Sequence, residues 1–179
     1  MSAARVLVVY YSRTGNTGRI ARSISAALGA DSMEIGDPVD RGGITGYLRS
    51  ALEALLGAST EIEPPKRAAA GYDLVVIGTP VWVSAVSSPV RTYLWMERDR
   101  LPRVAFFLTH GGSGSGRVLG QMAALAGKRP VAQLVVREND LGSGAYREKV
   151  AAFAESVLAS LARPGRKRTG RRRKARAIS

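Results

Sequence analysis

Residues 10–21 read YYSRTGNTGRIA; they follow the apolar run VLVV (6–9) directly and lead into a segment whose apolar residues recur at helical spacing. A short, wholly apolar run that breaks into a polar, glycine-bearing turn and then a helix is one βα unit of a buried parallel sheet. The turn holds Ser12, Arg13, Thr14, Gly15, Asn16 and Thr17. Its hydroxyl and amide side chains are hydrogen-bond donors, Gly15 permits a sharp bend, and the first turn of the helix offers unpaired N–H groups. Together these make an anion site at a helix N-terminus. The phosphate-loop spacing G-x-x-x-x-G-K-[ST] is absent and the turn has no lysine, so a single phosphate monoester fits better than a nucleoside triphosphate. The alternative is an ordinary βα turn in which Asn16 or Thr14 merely caps the helix.

The same alternation continues along the chain. Strands are predicted at Arg5–Tyr10, Ser32–Ile35, Asp73–Gly78, Val104–Thr109 and Val131–Val136. Helices are predicted at Asn16–Leu28, Ile44–Leu56, Pro89–Glu97, Gly116–Ala126 and Ala145–Leu161. In the last of these, Val150, Phe153, Ala154, Val157 and Leu161 form a core stripe. Five βα units with right-handed crossovers predict a three-layer, doubly wound α/β fold, its five-stranded parallel sheet in the order 2-1-3-4-5. At the switch point of that order the crevice is bounded by the loops after strands one, three and four: SRTGNTG, TPVWVSAVSSP and HGGSGSG.

In the second of these loops, Thr79 and Pro80 follow the buried strand and Val81 and Trp82 come next. Trp82 is placed where a flat ring covers a planar ligand, which needs area rather than hydrogen-bond complementarity; the alternative is a lid folded back on the core. Trp95, among Val90 and Leu94, reads as a core residue. In the third loop Gly111, Gly112 and Gly114 let the backbone approach a ligand and offer N–H groups to carbonyl oxygens. This loop matches neither G-x-G-x-x-G nor G-x-S-x-G. His110 opens it, either at a ligand's polar edge or as a structural residue at a strand end.

Composition narrows the chemistry. The chain of 179 residues has no cysteine and one histidine, which excludes disulfides, thiolate metal sites, cysteine nucleophiles and histidine-rich metal sites. No metal is expected. The net charge of +13 sits mostly at the end: residues 163–179 hold nine Lys or Arg and no acid. The expected organisation is a folded body over 1–162 and a basic, disordered tail over 163–179 that contacts polyanions or an anionic membrane surface, or only aids solubility. No run approaches eighteen apolar residues and the first residues are too short an apolar stretch for a signal peptide, so a soluble cytoplasmic protein is expected.

A phosphate cradle, a stacking tryptophan and a glycine-rich carbonyl binder on three loops of one crevice describe an FMN site. With VLVVYYSRTGNTGRIA, YDLVVIGTPVWVSAVSSPVRTYL and RVAFFLTHGG in place, the body resembles the flavodoxin family. That resemblance implies FMN as cofactor, with Ser12–Thr17 at the phosphate, Thr79–Trp82 beside the isoalloxazine and the Gly111–Gly114 backbone at its pyrimidine side. It implies electron transfer with a redox partner protein and no catalytic acid or base. Two departures stand out. The stretch after Trp82 has no early glycine and the third loop has no aromatic, and the body is slightly basic where flavodoxins are usually acidic. The alternatives are therefore an NAD(P)H-dependent FMN oxidoreductase acting on quinones or similar acceptors, and a binding module of this fold without flavin. A response-regulator receiver needs carboxylates at the ends of strands one and three, which read YYS and GTP, and a low-molecular-weight phosphatase needs a cysteine.

Overall fold

The computed structural model describes residues 4–37 and 60–163. In chain order these form β1 (Val6–Tyr10), α1 (Asn16–Leu28), β2 (Asp31–Glu34), a 3-10 turn (Ala69–Gly71), β3 (Leu74–Trp82), β4 (Ala85–Val86) and α2 (Ser88–Glu97). They continue with β5 (Arg103–His110), α3 (Ser115–Ala126), β6 (Gln133–Arg137), α4 (Glu138–Ser143) and α5 (Tyr146–Ala162). The main sheet is parallel in the order β2-β1-β3-β5-β6, with β4 pairing antiparallel to β3 off that path. Setting β4 aside, this is the 2-1-3-4-5 order expected from the βα alternation. The helix expected at Ile44–Leu56 lies outside the described residues.

The period of two along each strand divides the core into two layers. Val6, Val8, Leu74, Val76, Ala105, Phe107, Leu134 and Val136 face α1 and α5, meeting Ile20, Ile24, Val150, Phe153 and Val157. Leu7, Val9, Val75, Ile77, Val104, Phe106 and Leu108 face the other way, against Val90, Tyr93 and Leu94 of α2 and Val118 and Met122 of α3. Both faces are covered, which is why these strands read as unbroken apolar runs. Gly78 carries a specific packing duty: a Cβ there would fall inside the Phe107 ring. Of the stripe expected on the last helix, Val150, Phe153, Ala154 and Val157 are buried and Leu161 is partly so.

Three features differ from the sequence expectation. Trp95 is not a core residue; it is 71% exposed. Val90, Tyr93 and Leu94 already occupy the buried stripe of α2, and a residue one step beyond Leu94 is rotated about 100° off that stripe. Second, β3 does not stop at Gly78. It runs on to Trp82 and folds back through a two-residue turn, pairing Trp82 with Ala85 and Val81 with Val86. Val83 and Ser84 both take positive φ, 47° and 57°, the sign that such hairpin turns demand and that usually selects Asn or Gly. Pro80 is tolerated within the strand because pairing to β1 ends at Gly78, so its missing N–H lies on an edge. Third, the short helix α4 follows β6 directly. The Arg137 N–H donates to Asp140 Oδ2 at 2.8 Å and Lys149 Nζ donates to the same oxygen. These contacts, the lysine's first, hold the Asp140 carboxyl below the usual carboxylate range.

Candidate functional site

At the C-terminal edge of the sheet, where the chain leaves β1 on one side and β3 on the other, lies a crevice of about 730 Å³ including its part open to solvent. Its walls are Arg13, Thr14, Asn16, Pro80, Val81, Trp82, Val83, Thr109, His110, Gly111 and Glu138. A ligand at the switch point of an open α/β sheet is the general expectation for such a topology. All three loops singled out in the sequence reach it.

The first loop is shaped from within. Gly15, at φ 87°, is the left-handed residue that turns β1 into α1. The Gly18 N–H donates to Ser12 Oγ at 3.0 Å, so that hydroxyl serves the loop. Thr17 is buried with its hydroxyl 2.8 Å from that of Thr109, tying the start of α1 to β5. Arg13, Thr14 and Asn16 then line the crevice at the start of α1, where a helix leaves its first N–H groups without intrahelical partners.

In the second loop Thr79 is fully buried; its hydroxyl donates to the Pro80 carbonyl at 2.8 Å and sits 2.9 Å from Ser87 Oγ. It fastens the base of the hairpin to the start of α2. Pro80, Val81 and Trp82 line the crevice. The Trp82 ring is 9% exposed and meets Tyr11 edge to face, with centroids 5.6 Å apart and planes at 90°. Trp82 is therefore both a core contact and a crevice wall, which joins the two readings its position allows. Among the described residues it is the single Phe, Tyr or Trp of the lining.

In the third loop His110 and Gly111 reach the crevice. Gly114 instead begins α3 with φ 94° and packs so close to Ser84 that a Cβ would strike its hydroxyl, locking loop three to the hairpin turn. Thus, of the residues named from sequence, Arg13, Thr14, Asn16, Pro80, Val81, Trp82, His110 and Gly111 share the crevice wall. Ser12, Gly15, Thr17, Thr79, Gly112 and Gly114 stand outside its lining. Val83, Thr109 and Glu138 line it without having been singled out. The first two adjoin named residues, and Glu138 follows the strand next to β5, whose end the 2-1-3-4-5 order brings to this edge. His110 is buried, and among the described residues neither Nδ1 nor Nε2 has a hydrogen-bond partner. A buried imidazole with both nitrogens unsatisfied on the wall of an open crevice fits a ligand with a polar edge. Among the described residues no group of three or more His, Asp or Glu side chains is gathered to hold a metal, and no helix is long and apolar enough to cross a membrane.

No protein-family model and no curated protein sequence matches this chain. Solved structures do. A flavoprotein from Lactobacillus acidophilus NCFM, in complex with FMN, is 25% identical with a TM-score of 0.65, over 79% of this chain and 98% of that one. A protein from Bacteroides eggerthii DSM 20697, provisionally described as a flavoprotein, is 24% identical with a TM-score of 0.68, over 90% and 99%. The two-electron reduced flavodoxin of Megasphaera elsdenii is 20% identical with a TM-score of 0.55, over 84% and 98%. The chain has the flavodoxin-like α/β fold, and its structural neighbours are flavoproteins and flavodoxins.

Proposed function

We propose that this chain is an FMN-binding, flavodoxin-like electron-transfer protein of the cytoplasm. The observation that carries the reading is the switch-point crevice. It gathers a helix-start anion site at Arg13, Thr14 and Asn16, the ring of Trp82 and the unpartnered imidazole of His110, in a fold whose neighbour from Lactobacillus acidophilus NCFM is a complex with FMN. In this reading the loop Ser12–Thr17 holds the phosphate, with Gly15 and Thr17 shaping it. Thr79 fixes the hairpin whose Pro80, Val81 and Trp82 flank the ring. His110, Gly111, Gly112 and Gly114 form the loop at the polar edge. FMN bound there supplies the one- and two-electron chemistry. The chain's part is to orient it, to exclude water from the face that Trp82 covers, and to leave an edge open to a redox partner protein. Residues 1–162 form the flavin domain. Residues 163–179, with nine basic side chains, add a salt-sensitive contact to polyanions or an anionic membrane surface.

One observation favours a second reading, an NAD(P)H-dependent FMN oxidoreductase acting on quinones or similar acceptors. Among the described residues Trp82 is the single Phe, Tyr or Trp of the crevice wall, and a third loop without such a ring leaves room for a nicotinamide. Anaerobic mixing separates the two. The electron-transfer reading predicts that NADH or NADPH leaves the flavin absorbance unchanged while dithionite bleaches it, in the full chain and in the 1–162 truncation alike. Rapid bleaching by NAD(P)H followed by turnover with a quinone selects the oxidoreductase. Loss of flavin from the truncation refutes the domain boundary.

A further inference from the structure

The chain has one histidine. His110 ends β5, is 7% exposed and lines the crevice, and among the described residues neither of its buried ring nitrogens has a hydrogen-bond partner. Buried polar atoms are nearly always hydrogen-bonded, so this exception needs a cause. A neutral imidazole presents one donor and one acceptor, whereas its cation presents two donors. Which form is held depends on the charges around it. On the crevice wall these are Glu138 at the start of α4 and Arg13 on the loop after β1. The Glu138 carboxylate lies so near Gly111 that a Cβ there would come within 2.8 Å of its Oε2. On the adjacent strand β6 the register partner of His110 is Arg137. Arg13 and Glu138 thus share the crevice wall with His110, and Arg137 is its neighbour in register.

We propose that His110 couples reduction of the crevice's occupant to proton uptake: neutral beside the oxidised flavin ring, its imidazole takes one proton from solvent when the ring beside it gains negative charge. An opposite charge within a few ångströms favours the charged form of a titrating group, and imidazole is the side chain whose ordinary titration lies between pH 5 and 8. In the balance, dithionite, which is oxidised to sulfite, gives two electrons to the ring, one proton goes to the ring, and a second goes to the vacant nitrogen of His110, both protons from solvent. Nothing leaves. The inference rests on the FMN reading and adds a role for this chain's own residue, with Glu138 stabilising the resulting imidazolium.

Because His110 is the single histidine, one imidazole Cε1–Hε1 signal reports its charge in the NMR spectrum of the full chain. The FMN-loaded protein is titrated across about pH 5.5–8.5, oxidised and then reduced with dithionite. The reduced curve is expected at higher pH by at least about one unit, a tenfold gain in proton affinity. Proton uptake on reduction, measured in weak buffer and counted per flavin bound, should fall in His110→Gln, whose amide forms hydrogen bonds but does not titrate. Superimposed NMR curves, or equal uptake by His110→Gln, overturn the proposal. Where His110→Gln does not fold, the wild-type curves decide alone. A full chain that retains no FMN fails at the absorbance stage, before any spectrum, and removes the functional reading together with this one.

Discussion

Phe107→Ala is expected to lower the unfolding free energy by about 3–5 kcal/mol, the range for removing a fully buried phenyl ring. Phe107 is wholly buried on β5, facing α1 and α5, and its ring fills the space that a side chain at Gly78 on the adjacent strand would need. Both strands are held from both sides, so the backbone has little freedom to collapse into the cavity. The converse change, Gly78→Ala, overpacks the same space and costs about 1–3 kcal/mol. The double variant should lose less than the sum, because the new methyl group occupies part of the vacated volume. Trp95→Ala is the control. With its ring 71% exposed, it should shift stability by no more than about 0.5 kcal/mol. Urea unfolding measures all four, and a Trp95 effect equal to that of Phe107 contradicts the layer assignment.

Trp82→Ala is expected to weaken retention of flavin about 10–100-fold, taking about 1–3 kcal/mol for the loss of an aromatic stacking surface. The ring is pinned before any ligand arrives, by its edge-on contact with Tyr11 and by the hairpin pairing of Trp82 with Ala85. A pre-positioned ring gives up little rotamer freedom on binding, so most of its contact area counts toward affinity. The same substitution also removes a core contact, and flavin affinity must therefore be read on protein shown to be folded by circular dichroism. Fluorescence titration of folded Trp82→Ala that gives the wild-type affinity removes Trp82 from the binding site.

The order of the sheet was legible because VLVV, LVVIG and VAFFL are buried on both faces and stand apart from amphipathic helices, and because few windings satisfy right-handed crossovers. The helix start at Asn16 was legible from Gly15 and its polar neighbours. Less accessible was the hairpin after Gly78. Its turn residues are Val83 and Ser84, and neither announces a positive φ; only the surrounding pairing imposes it. Trp95 was misplaced because a helix of ten residues with three apolar neighbours does not reveal its phase until the sheet beneath it is seen. Within the site, sequence found the loops but not the division of labour inside them. Ser12, Thr17 and Thr79 carry the hydroxyls that a ligand wants, yet their hydroxyls are turned inward to Gly18, Thr109, Pro80 and Ser87. Conversely Glu138 enters the crevice from a helix too short to show a period.

In the proposed function the crevice holds FMN by its phosphate at the start of α1 and by its ring at Trp82. The purified 179-residue chain, freed of flavin, is titrated with FMN and, in parallel, with riboflavin, following quenching of flavin fluorescence. Each charge-assisted hydrogen bond to a phosphate contributes about 1.5–3 kcal/mol, so two such bonds at the first loop predict 1:1 binding of FMN at least about 100-fold tighter than riboflavin. Equal affinities, or no quenching by either flavin, refute FMN binding through its phosphate at this crevice.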